Sequence, residues 1–301
     1  MLAPRAAGGA ELPLPDVVRL EEAIAAADGS MGWVVTLCAG AGWFAGFLPP
    51  ETARAIIGTP QACLAGSGAP TGAAVPDGDG YRISGRWDIA TGAPMATHFT
   101  LNAVLADSGV TRAFVVPAAQ VVVEPTWRSI GMRGTASHSY RIDGAWVPAS
   151  HAFIIDPAHA SVPGPLYRFP FMALAYVTLA ANIGGMARHF LELAGQLLVQ
   201  RRQPQPAALD ALAQAQAALL AARDAMLALL DRAWAQVQAG PLDPLLETEL
   251  SAQSLQLVAV ARRAVTDIYP CCGLRAAQQD AEINLVWRDF HTASQHALLI
   301  P

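Results

Sequence analysis

Apolar and polar positions change their spacing twice along this chain. From Pro15 the spacing is helical, with Val17, Val18, Leu20, Ile24 and Ala27 recurring on one side and Arg19, Glu21 and Glu22 on the other. Residues 1–15, rich in Ala, Gly and Pro, read as a loose lead-in. Asp28-Gly29-Ser30 ends the first helix and caps the next, a Gly- and Ala-rich helix over Met31 to Phe47 that would let another backbone or a flat ligand come close. Glu51 to Ile57 predicts one more short helix before Gly58-Thr59-Pro60.

Between Pro60 and about Ile155 the period becomes two. Apolar and polar residues alternate through Tyr81 to Ile89, as a half-buried strand requires, and Asp77-Gly78-Asp79-Gly80 before it has the composition of a hairpin turn. Further strands are predicted over 62–67, 99–105, 112–116, 121–124 and 140–147, with Asp107-Ser108-Gly109 as another tight turn. The expectation is an antiparallel sheet domain, a small barrel or sandwich.

After Pro163-Gly164-Pro165 the helical period returns. One helix is predicted from about Phe169 to Arg202, stopping at Gln203-Pro204. A second runs from near Pro206 to Gly240-Pro241, with Leu209, Leu212, Leu219, Met226, Leu230 and Val237 at coiled-coil-like spacing. A third spans about Pro244 to Tyr269 and stops at Pro270, and a fourth contains Trp287-Arg288-Asp289. Four long antiparallel helices with short connections predict a bundle. The fold class is therefore α+β, divided as an N-terminal helical segment (1–59), a β domain (60–155) and a C-terminal four-helix bundle (156–301).

Composition narrows the picture. Of 301 residues only 14% are charged and 53% are hydrophobic, which suits extensive helix packing or subunits burying faces against one another, so a homo-oligomer, dimer or tetramer, is expected. A net charge of -5 with no basic run argues against nucleic acid as a partner. The four cysteines show no metal-ligand spacing, and adjacent Cys271-Cys272 could form only a strained disulfide, so reduced thiols in a cytoplasmic protein are expected, without a metal. The uncharged stretches Met31 to Pro50 and Phe169 to Ala187 approach the roughly 20 residues of a membrane span. Their glycines and prolines, and the lack of flanking basic or aromatic belts, favour buried bundle helices.

The stretch from Trp287 to His296 places arginine, aspartate and two histidines near the end of an apolar helix. Read as continuous helix, Asp289 and His296 are seven residues apart and share one face. A polar stripe here suggests a helix docked against something polar; standing alone, it would be a solvated helix end with a histidine at its C-terminal dipole.

Several fragments together resemble the acyl-CoA dehydrogenase superfamily. They are Leu64 to Gly72, Gly80 to Trp87 with Ala90-Thr91-Gly92, Gly131 to His138, Trp146-Val147-Pro148, and Trp287-Arg288-Asp289 with Thr292 to His296. The last of these is similar to the flavin-dependent monooxygenases of that superfamily, which hydroxylate aromatic and related substrates. The match covers about residues 15 to 300, and the chain resembles an N-terminally short member lacking helices that help to wall the pocket. It also departs from the branch at Ala41 and Gly42, where a histidine often precedes the tryptophan equivalent to Trp43, and at Leu285, where an arginine is common.

The resemblance implies FAD or FMN. Thr91 would stand beside flavin N5 and His296 would face the C4a region, donating to a C4a-hydroperoxide and returning a proton, so these two are the catalytic candidates. Ser67, Thr71, Trp87, Thr91, Gly92, Arg133, Thr135, Ser137 and Arg288 are the cofactor-binding candidates; for Arg133 with Thr135 and Ser137 the ligand would be flavin phosphate or ribose. Taken alone, Thr91-Gly92 is a turn, Gly66-Ser67-Gly68 a loop, Trp33, Trp43 and Trp87 core, and Arg288 with Asp289 a buried ion pair fixing the last helix.

The namesake dehydrogenation needs a carboxylate to remove a proton alpha to a thioester. No Asp or Glu follows Asp289, and nothing from Pro157 to His189 is acidic. The preferred reading is a monooxygenase of a small aromatic or related substrate. Its reduced flavin would come from a separate reductase, since the chain has no G-x-G-x-x-G unit for NAD(P)H. The alternatives are an FAD-dependent acyl-CoA dehydrogenase and a catalytically degenerate paralogue that only binds.

Overall fold

Both changes of period mark changes of structure. The computed structural model describes residues 1–201, 203 and 205–300. Three helices come first, α1 (Leu14–Ala27), α2 (Gly29–Trp43) and α3 (Pro50–Ile57), then seven strands. These are β1 (Leu64–Asp77), β2 (Gly80–Ala90), β3 (His98–Leu105), β4 (Thr111–Pro117), β5 (Val122–Glu124), β6 (His138–Pro148) and β7 (Ala152–Phe153). Helices α4 (Pro165–Arg168), α5 (Phe171–Val199), α6 (Pro206–Ala239), α7 (Pro244–Cys272) and α8 (Glu282–Ala293) follow. The predicted stop of α5 involves Arg202 and Pro204, which lie outside the described residues.

The chain forms two compact units. The sheet unit comprises residues 1–13, 37–128 and 135–171. Its strands make one seven-stranded sheet in the order β5-β6-β2-β1-β3-β4-β7. The sheet is mixed rather than antiparallel throughout, because β1 and β3 run parallel, Leu64 beside His98 and Ala74 beside Leu105. That pairing skips the hairpin neighbour and so requires the β2 excursion between them. Trp87, Tyr140, Phe99 and Phe114 are fully buried in the sheet's core, each contributing roughly 2–3 kcal/mol by removal from water. Gly72 has to be glycine because a Cβ there would overlap the Trp87 ring.

The helical unit comprises residues 14–36, 129–134 and 172–300 among those described. Here α6 packs along α7, Tyr269 of α7 stacks on Trp287 of α8 at 4.8 Å, and Phe190 of α5 lies 6.3 Å from Tyr269. Helix α1 joins this unit rather than standing apart. Gly185 of α5 has no room for a Cβ against the backbone of Glu22, and Arg223 of α6 holds Glu22 at 2.6 and 2.9 Å. The expected polar side of α1 is consequently corrected: Glu21 and Glu22 are buried while Leu20 is 43% exposed. Two further corrections concern the end of α7 and the apolar stripe of α6. Pro270 lies inside α7, whose last turn tolerates one missing N–H, and Leu209 is 37% exposed near the start of α6. The segment Gly29–Phe47 is long and apolar enough to cross a membrane, and half of its most apolar stretch is buried in the protein.

Candidate functional site

At the end of β2 the sheet unit buries a row of hydroxyls. Thr91 Oγ1 lies 3.0 Å from Ser137 Oγ, which lies 2.7 Å from Thr135 Oγ1. All three side chains are buried. The backbone is shaped to assemble them: Gly92 takes φ +75, and its N–H donates to the Thr135 carbonyl at 2.9 Å, closing the turn after β2 onto the segment before β6. Ile89 and Ala136 flank the row at φ +59 and +44, left-handed conformations that cost side-chain-bearing residues about 1 kcal/mol or more each. The sheet therefore spends strain where three hydroxyls meet. Each can donate and accept, so the row can present either polarity to a neutral ring edge. The carboxylate nearest in sequence, Asp88, is engaged elsewhere by Arg86 and Ser139.

In the helical unit the polar positions of α8 separate. Asp289 is buried; its Oδ1 accepts from Met132 N–H at 2.5 Å and its Oδ2 from Ser30 Oγ at 3.4 Å. Burial pushes this carboxyl above the usual range, with the Met132 bond opposing. Gly131 can lie against α8 because a Cβ there would overlap the Arg288 carbonyl. The expected Arg288–Asp289 ion pair does not form, since consecutive helical side chains point about 100° apart. Arg288 instead donates to Asn284 Oδ1 at 2.9 Å and to the Ile130 and Gln279 carbonyls at 3.1 and 3.3 Å.

His296 does not share a helical face with Asp289. Helix α8 ends at Ala293, and His296 caps a short 3-10 turn over Ala297–Leu299. Its Nδ1 accepts from the Leu298 N–H at 3.3 Å, and its ring meets the edge of Trp33 at 5.7 Å. Burial pushes the imidazole pKa down, so the ring is neutral at pH 7. With Nδ1 accepting, the proton sits on Nε2, leaving a neutral donor. Arg262 secures this end by donating to the Ser294 carbonyl and, at 2.9 Å, to that of Leu299.

The other candidates divide. Thr71 is exposed and spends its hydroxyl on the Arg86 carbonyl at 2.7 Å, Ser67 pairs with Leu101 inside β1 rather than in a loop, and Arg133 is exposed. Trp87 is corrected from a ring-stacking position to core. It is wholly buried, stacked on Tyr140 at 5.3 Å, with Nε1 bonded to the Asn102 carbonyl at 3.0 Å. Trp43 is likewise core, its Nε1 on the Leu166 carbonyl, and Leu285 faces solvent. Sequence reasoning missed a second buried polar group, on α1, α2 and α5: Asn182 Nδ2 lies 2.5 Å from Thr36 Oγ1, and Glu21 beside them is pushed up to about 8 by burial. The Thr36 hydroxyl lowers Glu21 slightly but makes no well-formed bond to either carboxylate oxygen. A lone asparagine in the apolar run of α5 was the available signal.

N-terminal helices, a sheet unit and a C-terminal set of long helices make an acyl-CoA dehydrogenase-like fold. The sequence profile of the acyl-CoA dehydrogenase C-terminal domain matches residues 177–301. The pigment production hydroxylase of Rhodococcus erythropolis is 29% identical over 326 residues, covering 100% of this chain and 83% of that one. The flavin-dependent monooxygenase, oxygenase subunit HsaA, of Mycobacterium tuberculosis is 24% identical over 320 residues, 99% of this chain and 81% of its own. The crystal structure of that HsaA monooxygenase superposes with a TM-score of 0.93 at 22% identity, over 100% of this chain and 83% of the other. XiaF from Streptomyces sp., in complex with FADH2 and glycerol, does so at 0.87 and 23% identity, over 99% and 81%. The chain is thus similar over its C-terminal part to the acyl-CoA dehydrogenase C-terminal domain, and over its whole length to relatives named as flavin-dependent monooxygenases and hydroxylases.

Proposed function

We propose that this protein is a flavin-dependent monooxygenase that uses reduced FAD or FMN to hydroxylate a small aromatic or related substrate. The observation carrying this reading is the buried Thr91–Ser137–Thr135 row. It is a neutral set of donors and acceptors, suited to the N5 and carbonyl edge of a flavin ring. When bound, reduced flavin supplies the electrons and the activation of dioxygen. The chain's own residues do the rest. Thr91 orients the ring edge, with Ser137 and Thr135 fixing its hydroxyl. His296, held as the Nε2–H tautomer, donates a hydrogen bond and returns a proton to the departing oxygen. Gly92 sets the turn. Ser67, Thr71, Arg133 and Arg288 remain proposed contacts for the outer parts of the cofactor.

Dehydrogenation of a thioester is disfavoured on the same ground. Asp289, the last carboxylate of the chain, is occupied by Met132 N–H and the Ser30 hydroxyl. The lack of a dinucleotide-binding loop supports delivery of reduced flavin by a separate reductase, and the subunit name of the mycobacterial relative points the same way. A cytoplasmic homo-oligomer completes the proposal, supported by four free thiols and a low charged fraction. The test supplies FADH2 or FMNH2 anaerobically, then oxygen and a panel of small phenols and indoles. Reduced flavin should bind, and oxygen uptake should match hydroxylated product. Absence of reduced-flavin binding would leave a degenerate paralogue, and bleaching of oxidised flavin by an acyl-CoA would favour the dehydrogenase.

A further inference from the structure

The turn that carries His296 is gripped from outside by one side chain. Helix α8 ends at Ala293, and the carbonyls at such an end find no partner within the helix. Arg262, well inside α7, reaches across to them: Nη2 donates to the Ser294 carbonyl, and Nη1 donates to the Leu299 carbonyl at 2.9 Å. These two carbonyls stand on either side of His296. Within that bracket the His296 N–H donates to the Ala293 carbonyl at 3.1 Å, the Leu299 N–H to the His296 carbonyl at 2.8 Å, and the Leu298 N–H to His296 Nδ1 at 3.3 Å. The last bond is at the long end of the usual range, so a small rotation of the turn would break it. Both partners of Arg262 are neutral, and among the described residues no carboxylate forms an ion pair with it. Burial works against its charge, and the negative end of the α8 dipole offsets part of that cost.

We propose that Arg262 is a positioning residue for His296: its guanidinium fixes the separation of the Ser294 and Leu299 carbonyls and so keeps the Leu298 N–H aimed at Nδ1, which leaves the imidazole proton on Nε2. A guanidinium is a rigid planar fork, and two carbonyls bonded to two of its nitrogens cannot slide past each other. His296 and the Leu298 amide both lie on the chain between these fixed points. Without the fork the turn would stay attached, because Leu299 is buried, but it would pivot about that side chain. The Leu298 bond would then be lost, and either ring nitrogen could hold the proton. Trp33 would still meet the ring with its edge at 5.7 Å, a contact that restrains where the ring sits and not which nitrogen is protonated. Arg262 thus acts through the backbone on both sides of the histidine. Its consequence for turnover rests on the monooxygenase reading; the tautomer is a property of the chain alone.

The test uses the flavin-free full chain labelled with 15N-histidine and read by solid-state NMR at about pH 8, where a histidine ring is neutral. His296→Ala identifies the His296 signals by their loss. The parent should show a protonated Nε2 and a bare Nδ1. Arg262→Met should show a mixture of both tautomers. Arg262→Lys should do the same, because an ammonium keeps the charge but is a single point that cannot span two carbonyls, and it keeps the test decisive if the methionine variant folds poorly. A parent with its proton on Nδ1, or the parent's tautomer retained in either variant, would overturn the proposal. In the turnover assay Arg262→Lys should lower product formation by about tenfold with KM little changed. In a His296→Ala background the same substitution should cost less than about a further twofold, and a full tenfold loss there would also overturn the proposal. A parent that hydroxylates nothing would end the monooxygenase reading and leave the tautomer result standing.

Discussion

The two units handle buried polar groups in opposite ways. In the sheet unit Thr91, Ser137 and Thr135 satisfy one another, and none of the three carries a charge. In the helical unit neutral buried hydroxyls such as Thr178 and Ser254 bond back to their own helix, while other buried polar groups are ionisable or left over. Among the described residues, every buried side-chain nitrogen or oxygen without a hydrogen-bond partner lies there: both oxygens of Glu21, Asn182 Oδ1 and His291 Nε2. The difference follows from backbone chemistry. A strand end and its turns can bring several short hydroxyl side chains into register, whereas helices present side chains singly and have already spent their backbone partners internally. The sheet unit can therefore hold a neutral polar site, at the cost of the left-handed backbone at Ile89 and Ala136. The helical unit also buries the carboxyls of Glu21 and Asp289, whose protonation then depends on pH.

The sharpest break of that comparison is Asp289→Ala, which removes the acceptor for a buried Met132 N–H. It should destabilise the protein by about 3 kcal/mol in denaturant melts, while Asp289→Asn, which keeps one acceptor oxygen, should cost about half as much. Glu21→Gln should act in the other direction. Below about pH 4.5 the carboxyl is protonated folded and unfolded alike; as pH rises the unfolded chain ionises first while the folded group keeps its proton to about 8. Stability should fall across that window and be lowest above it, so the glutamine variant should match the parent at pH 4 and be clearly the more stable at pH 9. A parent melting profile flat from pH 5 to 9 would contradict a buried, protonated Glu21.

Activity probes both units at once. His296→Ala should lower product formation by about 10- to 100-fold and Thr91→Val by about tenfold, each with a rise in peroxide released per oxygen consumed. Equal product yield from either variant would remove that residue from the site. The smallest effect concerns acid. Burial pushes His98 and His151 in the sheet unit, and His291 and His296 in the helical unit, below the ordinary histidine value. Their neutral forms are favoured by folding, so both units should lose some stability as pH falls below about 6.5. Hydrogen exchange read separately in sheet and bundle peptides should show this acid limb in both and the alkaline limb of Glu21 in the bundle alone.

Some of this was legible in residues alone. Period-two alternation placed β2 within a residue at each end, Asp77-Gly78-Asp79-Gly80 closed the hairpin that was expected, and Gly78 takes the positive φ the turn needs. Thr91, Gly92, Thr135 and Ser137 could be named as a group only through family resemblance, because 46 positions separate Thr91 from Ser137 and no local pattern connects them. Trp87 was ambiguous for a different reason. An indole suits either a core or a flat ligand, and only full burial on Tyr140 decides between them.

What the sequence determined by itself was the order and kind of the elements, since spacing of 3.6 or 2 is a property of neighbouring residues. It also determined the absence of any carboxylate after Asp289, which needs no coordinates. Tertiary structure alone decided which polar residues became interior. Glu21 and Glu22 lie on what reads as the wet side of α1, yet that side is covered by α5 and α6. His296 was expected in register with Asp289, yet the helix ends three residues before it, and a single backbone N–H then sets its tautomer. Burial and hydrogen-bond partners come from residues distant in the chain, and no local pattern reports them.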